Sequence, residues 1–237
     1  MRIEIWSDVV CPWCYIGKRR LETALADFEH ADEVEVVWRS FQLDPGAPRD
    51  GGELAIDSIA RKYGQSREGA RQMMDQVEAV AAEEGLVYRL GETPHVNTVD
   101  AHRVIHLALA EGGPALQGAV KEALLAAYFT HARNVADHEV LREVAVGAGL
   151  DAERVSALLA SDELTAEVWA DMEQAQRYGA TGVPFFVVDG RYGVSGAQPA
   201  DSLAQVLDRA WQEAHPAPLV MQSDAANGVC GPDGCPV

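Results

Sequence analysis

Basic residues are scarce: 19 Lys and Arg stand against 37 Asp and Glu in 237 residues, a formal charge of -18. A field of that sign repels phosphate backbones and anionic lipid, so neither nucleic acid nor a membrane surface is expected as a partner. Long apolar runs are missing too. No stretch approaches the eighteen or so residues of a membrane span. The first residues carry neither a basic n-region nor an apolar h-region, so no secretory signal is expected and the cytoplasm is the expected location. No fixed repeat period appears, which excludes a solenoid. Cysteines number only four, and they form two close pairs, Cys11/Cys14 and Cys230/Cys235. In a reducing compartment, close thiol pairs point to chemistry rather than to structural bridges.

The first pair sits in the most informative stretch. Ile3-Glu4-Ile5-Trp6 is apolar and β-branched and leads into Cys11-Pro12-Trp13-Cys14; Leu21, Leu25 and Phe28 then recur at helical steps. A strand feeding a helix whose first turn carries a Cys-x-x-Cys pair is the setting of a redox dithiol. Pro12 fits the first helical position, where its missing N–H costs nothing. Cys11 then falls at the helix N-cap, where free N–H groups and the positive dipole end favour a thiolate, so its pKa is expected below the free value of about 8.5. Cys14 lies one turn on, within disulfide reach. Cys11 is therefore expected to be the attacking sulfur and Cys14 the resolving one. A zinc site completed by Cys230 and Cys235 is the competing reading. Zinc pairs usually sit on turns between short strands, however, and Pro12 and Trp13 opening a long helix speak against one; no metal is expected.

Val34 to Phe41 is β-branched and aromatic and reads as a second strand, parallel to the first across the crossover. From Leu54 to about Gly179 the chain is nearly all helix-forming. Helices are expected over residues 66–84 (stopped by Gly85), 97–109 (ended by Gly112-Gly113), 114–129, 137–146, 151–159 and 164–178. Gly182 to Val188 then reads as a short buried strand, Asp189-Gly190 as a tight hairpin turn, Tyr192-Gly193-Val194 as the partner strand, and Asp201 to Glu213 as a final helix. The fold class is α/β: a thioredoxin fold, residues 1–50 and 180–215, interrupted by an all-helical insertion, residues 51–179. A tail, 216–237, carries Cys230-Gly231-Pro232-Asp233-Gly234-Cys235, whose Gly-Pro-Asp-Gly centre is turn chemistry that lets the two sulfurs meet in a small ring.

Several motifs together carry a family resemblance. Asp8-Val9-Val10-Cys11-Pro12-Trp13-Cys14-Tyr15-Ile16-Gly17, Asn97-Thr98 with Ala101-His102-Arg103, Ala127-Tyr128-Phe129-Thr130, Thr181-Gly182-Val183-Pro184-Phe185-Phe186 and Ser195-Gly196-Ala197-Gln198-Pro199 resemble the DsbA family of thioredoxin-fold oxidoreductases, above all its signal-less FrnE-like group. His131-Ala132-Arg133-Asn134 is less typical of it. The resemblance implies thiol–disulfide exchange. It implies a cis Pro184 against the cysteine pair, with Val183 offering its backbone to an extended substrate, and it allows Trp13 to flank that substrate. It also implies an auxiliary redox role for Cys230 and Cys235, beside the plainer readings of a local clip or metal ligands. No bound cofactor is expected, with glutathione as a candidate redox co-substrate. The expected partners are a disulfide-containing protein or small molecule and a cellular dithiol reductant. The alternative is a glutathione-dependent isomerase or transferase acting on a small aromatic or polyketide substrate; such relatives resemble this chain but typically carry serine where Cys11 stands. A peptide-binding holdase is a third reading.

Three further positions stay open. His102 and His106, four apart on a helix, have no evident third metal ligand and read as a satisfied or exposed pair. Asp8 reads either as a proton acceptor near Cys14 or as a strand-end solubilising charge. His95 and Asn97 read as cleft-lining, with capping the plainer role for Asn97.

Overall fold

The computed structural model describes residues 1–216. Four strands, β1 (Arg2–Ser7), β2 (Glu35–Ser40), β3 (Phe185–Val188) and β4 (Tyr192–Ser195), form one sheet in the order β2-β1-β3-β4. β1 and β2 are parallel, whereas β3 runs antiparallel to β1 and to β4. The parallel pair follows from the intervening helix α1 (Pro12–Ala26), which must cross over one face of the sheet. The β3–β4 turn is made by Asp189 and Gly190, both at positive φ (48° and 65°), as a two-residue hairpin whose twist matches the strands requires. Asp189 also accepts the Arg2 N–H through Oδ1 at 2.6 Å, tying the hairpin to the start of β1. β3 is shorter than the stretch expected from Gly182, because Gly182 to Pro184 forms a loop against α1 instead of extending the ladder.

Between β2 and β3 lie six helices: α2 (Ala55–Tyr63), α3 (Arg67–Glu83), α4 (Val99–Phe129), α5 (His138–Gly147), α6 (Ala152–Leu159) and α7 (Thr165–Arg177); α8 (Ala200–Ala214) closes the described chain. Ser66, Asp137 and Asp151 cap α3, α5 and α6 by accepting N–H groups of their first turns. The two helices expected either side of Gly112-Gly113 are both present and together make up α4, separated by a kink at Gly113, whose angles are not helical (φ 68°, ψ -167°). Pro114 opens the second half, where no N–H is needed.

The apolar face of the sheet, α1 and α8 share one continuous core with the insertion: Ile3, Ile5 and Phe186 belong to the same buried cluster as Leu124, Leu141 and Leu158. The join at the outer edge of β2 is polar. Gln117 of α4 accepts the Trp38 N–H through Oε1 and donates from Nε2 to the Trp38 carbonyl, both at 2.9 Å. Asp171 of α7 accepts the Ser40 N–H at 2.8 Å. His106 fits into the same seam, its Nε2 3.0 Å from Ser40 Oγ and 3.0 Å from Asp171 Oδ2.

Candidate active site

Cys11 takes extended backbone angles (φ -91°, ψ 112°) as the N-cap of α1, with Pro12 in the first turn and no side-chain cap. The missing cap leaves the N-terminal N–H groups directed at whatever occupies the mouth of the site. Cys14 follows in the first turn, its N–H donating to the Cys11 carbonyl at 3.0 Å. Both cysteines are free and buried, while Trp13 between them is 40% exposed. Trp13 is thus no core residue.

The Val183–Pro184 peptide bond is cis. It brings the Val183 carbonyl to the dithiol, where it accepts a hydrogen bond from Cys11 Sγ at 3.4 Å. The loop is seated by Gly17, one turn beyond Cys14. A Cβ added there would lie 3.0 Å from Pro184 Cγ and 3.3 Å from Phe186 Cζ, so only glycine lets α1 approach this closely. From the other side Tyr88 donates its hydroxyl to the Pro12 carbonyl at 2.8 Å and stacks on Phe129, centroids 4.6 Å apart. An ion cluster fixes α1 against α4 as well: Glu122 accepts from the Tyr15 hydroxyl at 2.5 Å and pairs with Lys18 at 2.6 Å and with Arg19.

The polar floor comes from both sequence regions. Asp8 is fully buried, which rules out the strand-end solubilising role. It pairs through Oδ1 with His102 Nε2 at 3.2 Å and accepts the Leu43 N–H through Oδ2 at 2.8 Å. Burial works against its charged form, yet the contacts to His102, Leu43 and Lys121 outweigh it and hold the carboxyl below its ordinary value. Burial prevails at His102, lowering its pKa despite Asp8. His102 and His106 are therefore both buried and engaged, each with its own carboxylate.

The charge distribution of the dithiol differs from what the helix terminus alone suggests. The Cys11 thiol faces two acceptors, the Cys14 sulfur and the Val183 carbonyl. The bond to Cys14, together with burial, pushes its pKa well up rather than down. At Cys14 burial also pushes up, but the hydrogen bond from Cys11, the Lys121 ammonium and the Ser7 hydroxyl leave that thiol lowered. The buried Ser7 hydroxyl has no hydrogen-bond partner among the described residues. The two sulfurs titrate as one unit, so the apparent values belong to the pair.

Asn97 accepts the Val99 N–H through Oδ1 at 3.0 Å just ahead of α4 and donates from Nδ2 to the Pro45 carbonyl at 2.8 Å. It also lines a half-open cavity of 410 Å³ with Gln42, Arg103 and Trp169. His95 lies apart from it, against Asp44 and Glu53. Cys230 and Cys235 fall outside the described residues. Sequence reading missed Lys121, Tyr88 and the part played by Gly17. Lys121 left one usable trace: it falls on the same helical stripe as Gln117, Leu124 and Tyr128, all buried.

A four-stranded sheet with a Cys-Pro-Trp-Cys helix start set against a cis-proline loop defines a thioredoxin-fold dithiol protein. Residues 2–208 match the model of the DSBA-like thioredoxin domain, and the chain belongs to that family. It is 50% identical to a probable DsbA oxidoreductase from Streptomyces coelicolor, covering 100% of this chain and 99% of that one with a TM-score of 0.85. At the level of fold alone it is similar to the cytosolic disulfide reductase DsbM from Pseudomonas aeruginosa, solved with GSH (18% identity over 90% of this chain and 100% of that one, TM-score 0.63). The fold also matches 2-hydroxychromene-2-carboxylate isomerase (14% identity, 90% and 98% covered, TM-score 0.65). The uncharacterized protein YwbO of Bacillus subtilis is 40% identical over 45 residues, which is 19% of this chain and 20% of that protein. Among the described residues no helix is long and apolar enough to cross a membrane.

Proposed function

We propose that the chain catalyses thiol–disulfide exchange through Cys11 and Cys14, in the manner of the FrnE-like group, on a disulfide-containing protein or small molecule in a reducing cytoplasm. The observation that carries this reading is the seating of Cys11, at an uncapped helix N-terminus with its sulfur 3.4 Å from the Val183 carbonyl. An extended substrate laid along Val183 would present its sulfur to Cys11 as an added strand does to a sheet edge, with Trp13 alongside. From the singly deprotonated pair, with its remaining proton on Cys14, Cys11 attacks one substrate sulfur as the thiolate; the Cys11–substrate bond forms as the substrate disulfide breaks, and a thiolate leaves. Cys14, having given up that proton to the leaving thiolate, attacks the Cys11 sulfur. The Cys11–Cys14 disulfide forms and the second substrate thiolate is released and protonated from water. Two electrons pass to the substrate, and a cellular dithiol or glutathione restores the pair. The same steps reversed oxidise a dithiol substrate.

Two cysteines, where an isomerase or transferase needs only one hydroxyl or thiol to hold glutathione, favour exchange over that second reading. We assign Cys230 and Cys235 an auxiliary part, relaying electrons between the main pair and a reductase; the turn-forming spacer between them supports it. The test is insulin reduction with dithiothreitol. Wild type accelerates it, Cys11→Ser abolishes the acceleration, and Cys14→Ser accumulates a mixed disulfide at Cys11 visible by mass spectrometry. Insulin reduction no faster than with dithiothreitol alone, or unchanged in Cys11→Ser, overturns the reading.

A further inference from the structure

Gln42, Asn97 and Asp100 share the half-open cavity of 410 Å³ with the loop between α6 and α7, and none of Cys11, Cys14 and Pro184 lines it. Its walls are firmly held. Buried Asp100 takes Arg103 Nη1 on Oδ1 at 2.8 Å and His138 Nε2 on Oδ2 at 3.1 Å. Arg103 spends its other N–H groups on the carbonyls of Leu158, Ser161 and Glu163, which fixes the α6–α7 loop against α4. Four further groups of the lining are left unspent. Gln42 is 4% exposed; its Nε2 donates to Asn97 Oδ1 at 3.2 Å and to Thr98 Oγ1 at 3.3 Å, while its Oε1 accepts no hydrogen bond among the described residues. A buried acceptor in that state is costly until a donor reaches it. Arg49 is exposed and touches Asp100 Oδ2 through Nη1 alone, at 3.2 Å. Asp162 is exposed at the rim, and the guanidinium groups of the cavity, Arg49 and Arg103, both pair with Asp100 instead of with it. Trp169 completes the lining at 44% exposure.

We infer that this cavity binds a small zwitterion of the α-amino-acid type, with its carboxylate on Arg49, its ammonium on Asp162 and Gln42 Oε1, and its side chain on Trp169. The charge balance selects that class. Arg49 and Arg103 stand against Asp100 and Asp162 in the lining, so neither a dianion nor a simple cation matches it. The N-terminus of α7 favours the carboxylate as well: Thr165 lines the cavity, and Leu164 before it, at φ 62°, gives no side-chain cap. The site stands without the thiol–disulfide reading, yet it adjoins the support of the redox centre, since Leu43, next to Gln42, donates its N–H to Asp8.

The test is a titration of the full-length protein with phenylalanine, read from the indole N–H resonance that is lost in Trp169→Phe. That resonance should shift saturably. Phenethylamine, which lacks the carboxylate, and N-acetylphenylalanine, whose nitrogen is uncharged, should each bind about tenfold more weakly or worse, the loss expected of one charge-assisted hydrogen bond. Arg49→Met and Asp162→Asn should each weaken phenylalanine by about tenfold too. Both side chains are exposed, so the variants keep the fold and an unchanged melting curve verifies it. No saturable shift with phenylalanine, an analogue that binds as tightly as phenylalanine, or a variant with wild-type affinity overturns the inference. Insulin reduction has no part in these readouts, so this site and the exchange reaction can fail independently.

Discussion

Gly17→Ala is the sharpest test of how the site is assembled, because two effects of known size oppose each other there. Gly17 lies within α1, so alanine should gain about 1 kcal/mol of helix propensity. The added methyl would stand 3.0 Å from Pro184 Cγ, 3.3 Å from Phe186 Cζ and 3.5 Å from Ala197 Cβ. Restoring an ordinary 3.4 Å contact to the proline needs a shift of about 0.4 Å (3.4 minus 3.0). Pro184 cannot move freely, because Phe186 is buried behind it and Arg20 of α1 holds the Ala197 carbonyl at 2.6 Å. Overpacking of a filled site costs roughly 1–3 kcal/mol, so the net change is a loss of about 0 to 2 kcal/mol, or at most about 8 °C in melting temperature for a chain of this size. Activity should suffer more than stability. Misplacing a reacting group by 1 Å costs about a hundredfold, so a displacement of about 0.4 Å should slow insulin reduction by about three- to tenfold. Gly118→Ala supplies the control: it is also in a helix, its nearest neighbour is Trp38 Nε1 at 4.0 Å, and it should gain stability by up to about 1 kcal/mol with exchange unchanged. If Gly17→Ala gains stability as Gly118→Ala does and exchanges at the wild-type rate, the contact between α1 and the proline loop does not govern the site.

Glu122 gives a pH-dependent prediction. Burial raises its pKa, but Arg19, Lys18 and Tyr15 outweigh that and hold it at about 2 instead of 4.5; its contribution to stability is therefore complete above about pH 4.5 and is lost as the pH falls through about 2. Glu122→Gln should lower the urea midpoint at pH 7, and the gap to wild type should close on approaching pH 2. Trp13→Ala removes an exposed side chain, so its melting curve should move by less than about 0.5 kcal/mol, while exchange with a peptide disulfide slows; an unchanged rate would remove Trp13 from the substrate surface. The double change Cys230→Ser/Cys235→Ser should slow turnover with a protein reductase and leave the titration of the main pair in place, and wild-type turnover with every reductant would reduce the tail pair to a clip.

Local chemistry made much of this molecule readable in advance. Pro12 after Cys11, Asp189-Gly190 between two short strand-forming runs, and Ser66 ahead of a helix each act on their immediate neighbours, and each element stands where those residues imply. Gly113-Pro114 has the chemistry of a helix end, and the helix does break there, at the non-helical Gly113. Pro184 needed the family resemblance as well, since nothing local decides its isomer. What escaped depends on partners far along the chain. Asp8 resembles a surface charge until α4 brings His102 and Lys121 over it. A helix terminus alone would lower the Cys11 thiol, whereas burial beside Cys14 raises it and the Val183 carbonyl, 172 residues away, accepts its hydrogen bond.

The polar seam at β2 has a bearing on how this protein behaves when crowded or newly made. An outer strand with open N–H and C=O groups is a template on which another chain can build. Here Gln117 occupies that place with a side-chain amide, matching both polar groups of Trp38 as a neighbouring strand would, and Asp171 takes the Ser40 N–H beyond it. The insertion thus covers this edge of the sheet without adding a strand. It follows that loosening α7 would uncover a sticky edge, and that self-association would be an early symptom of damage in this region.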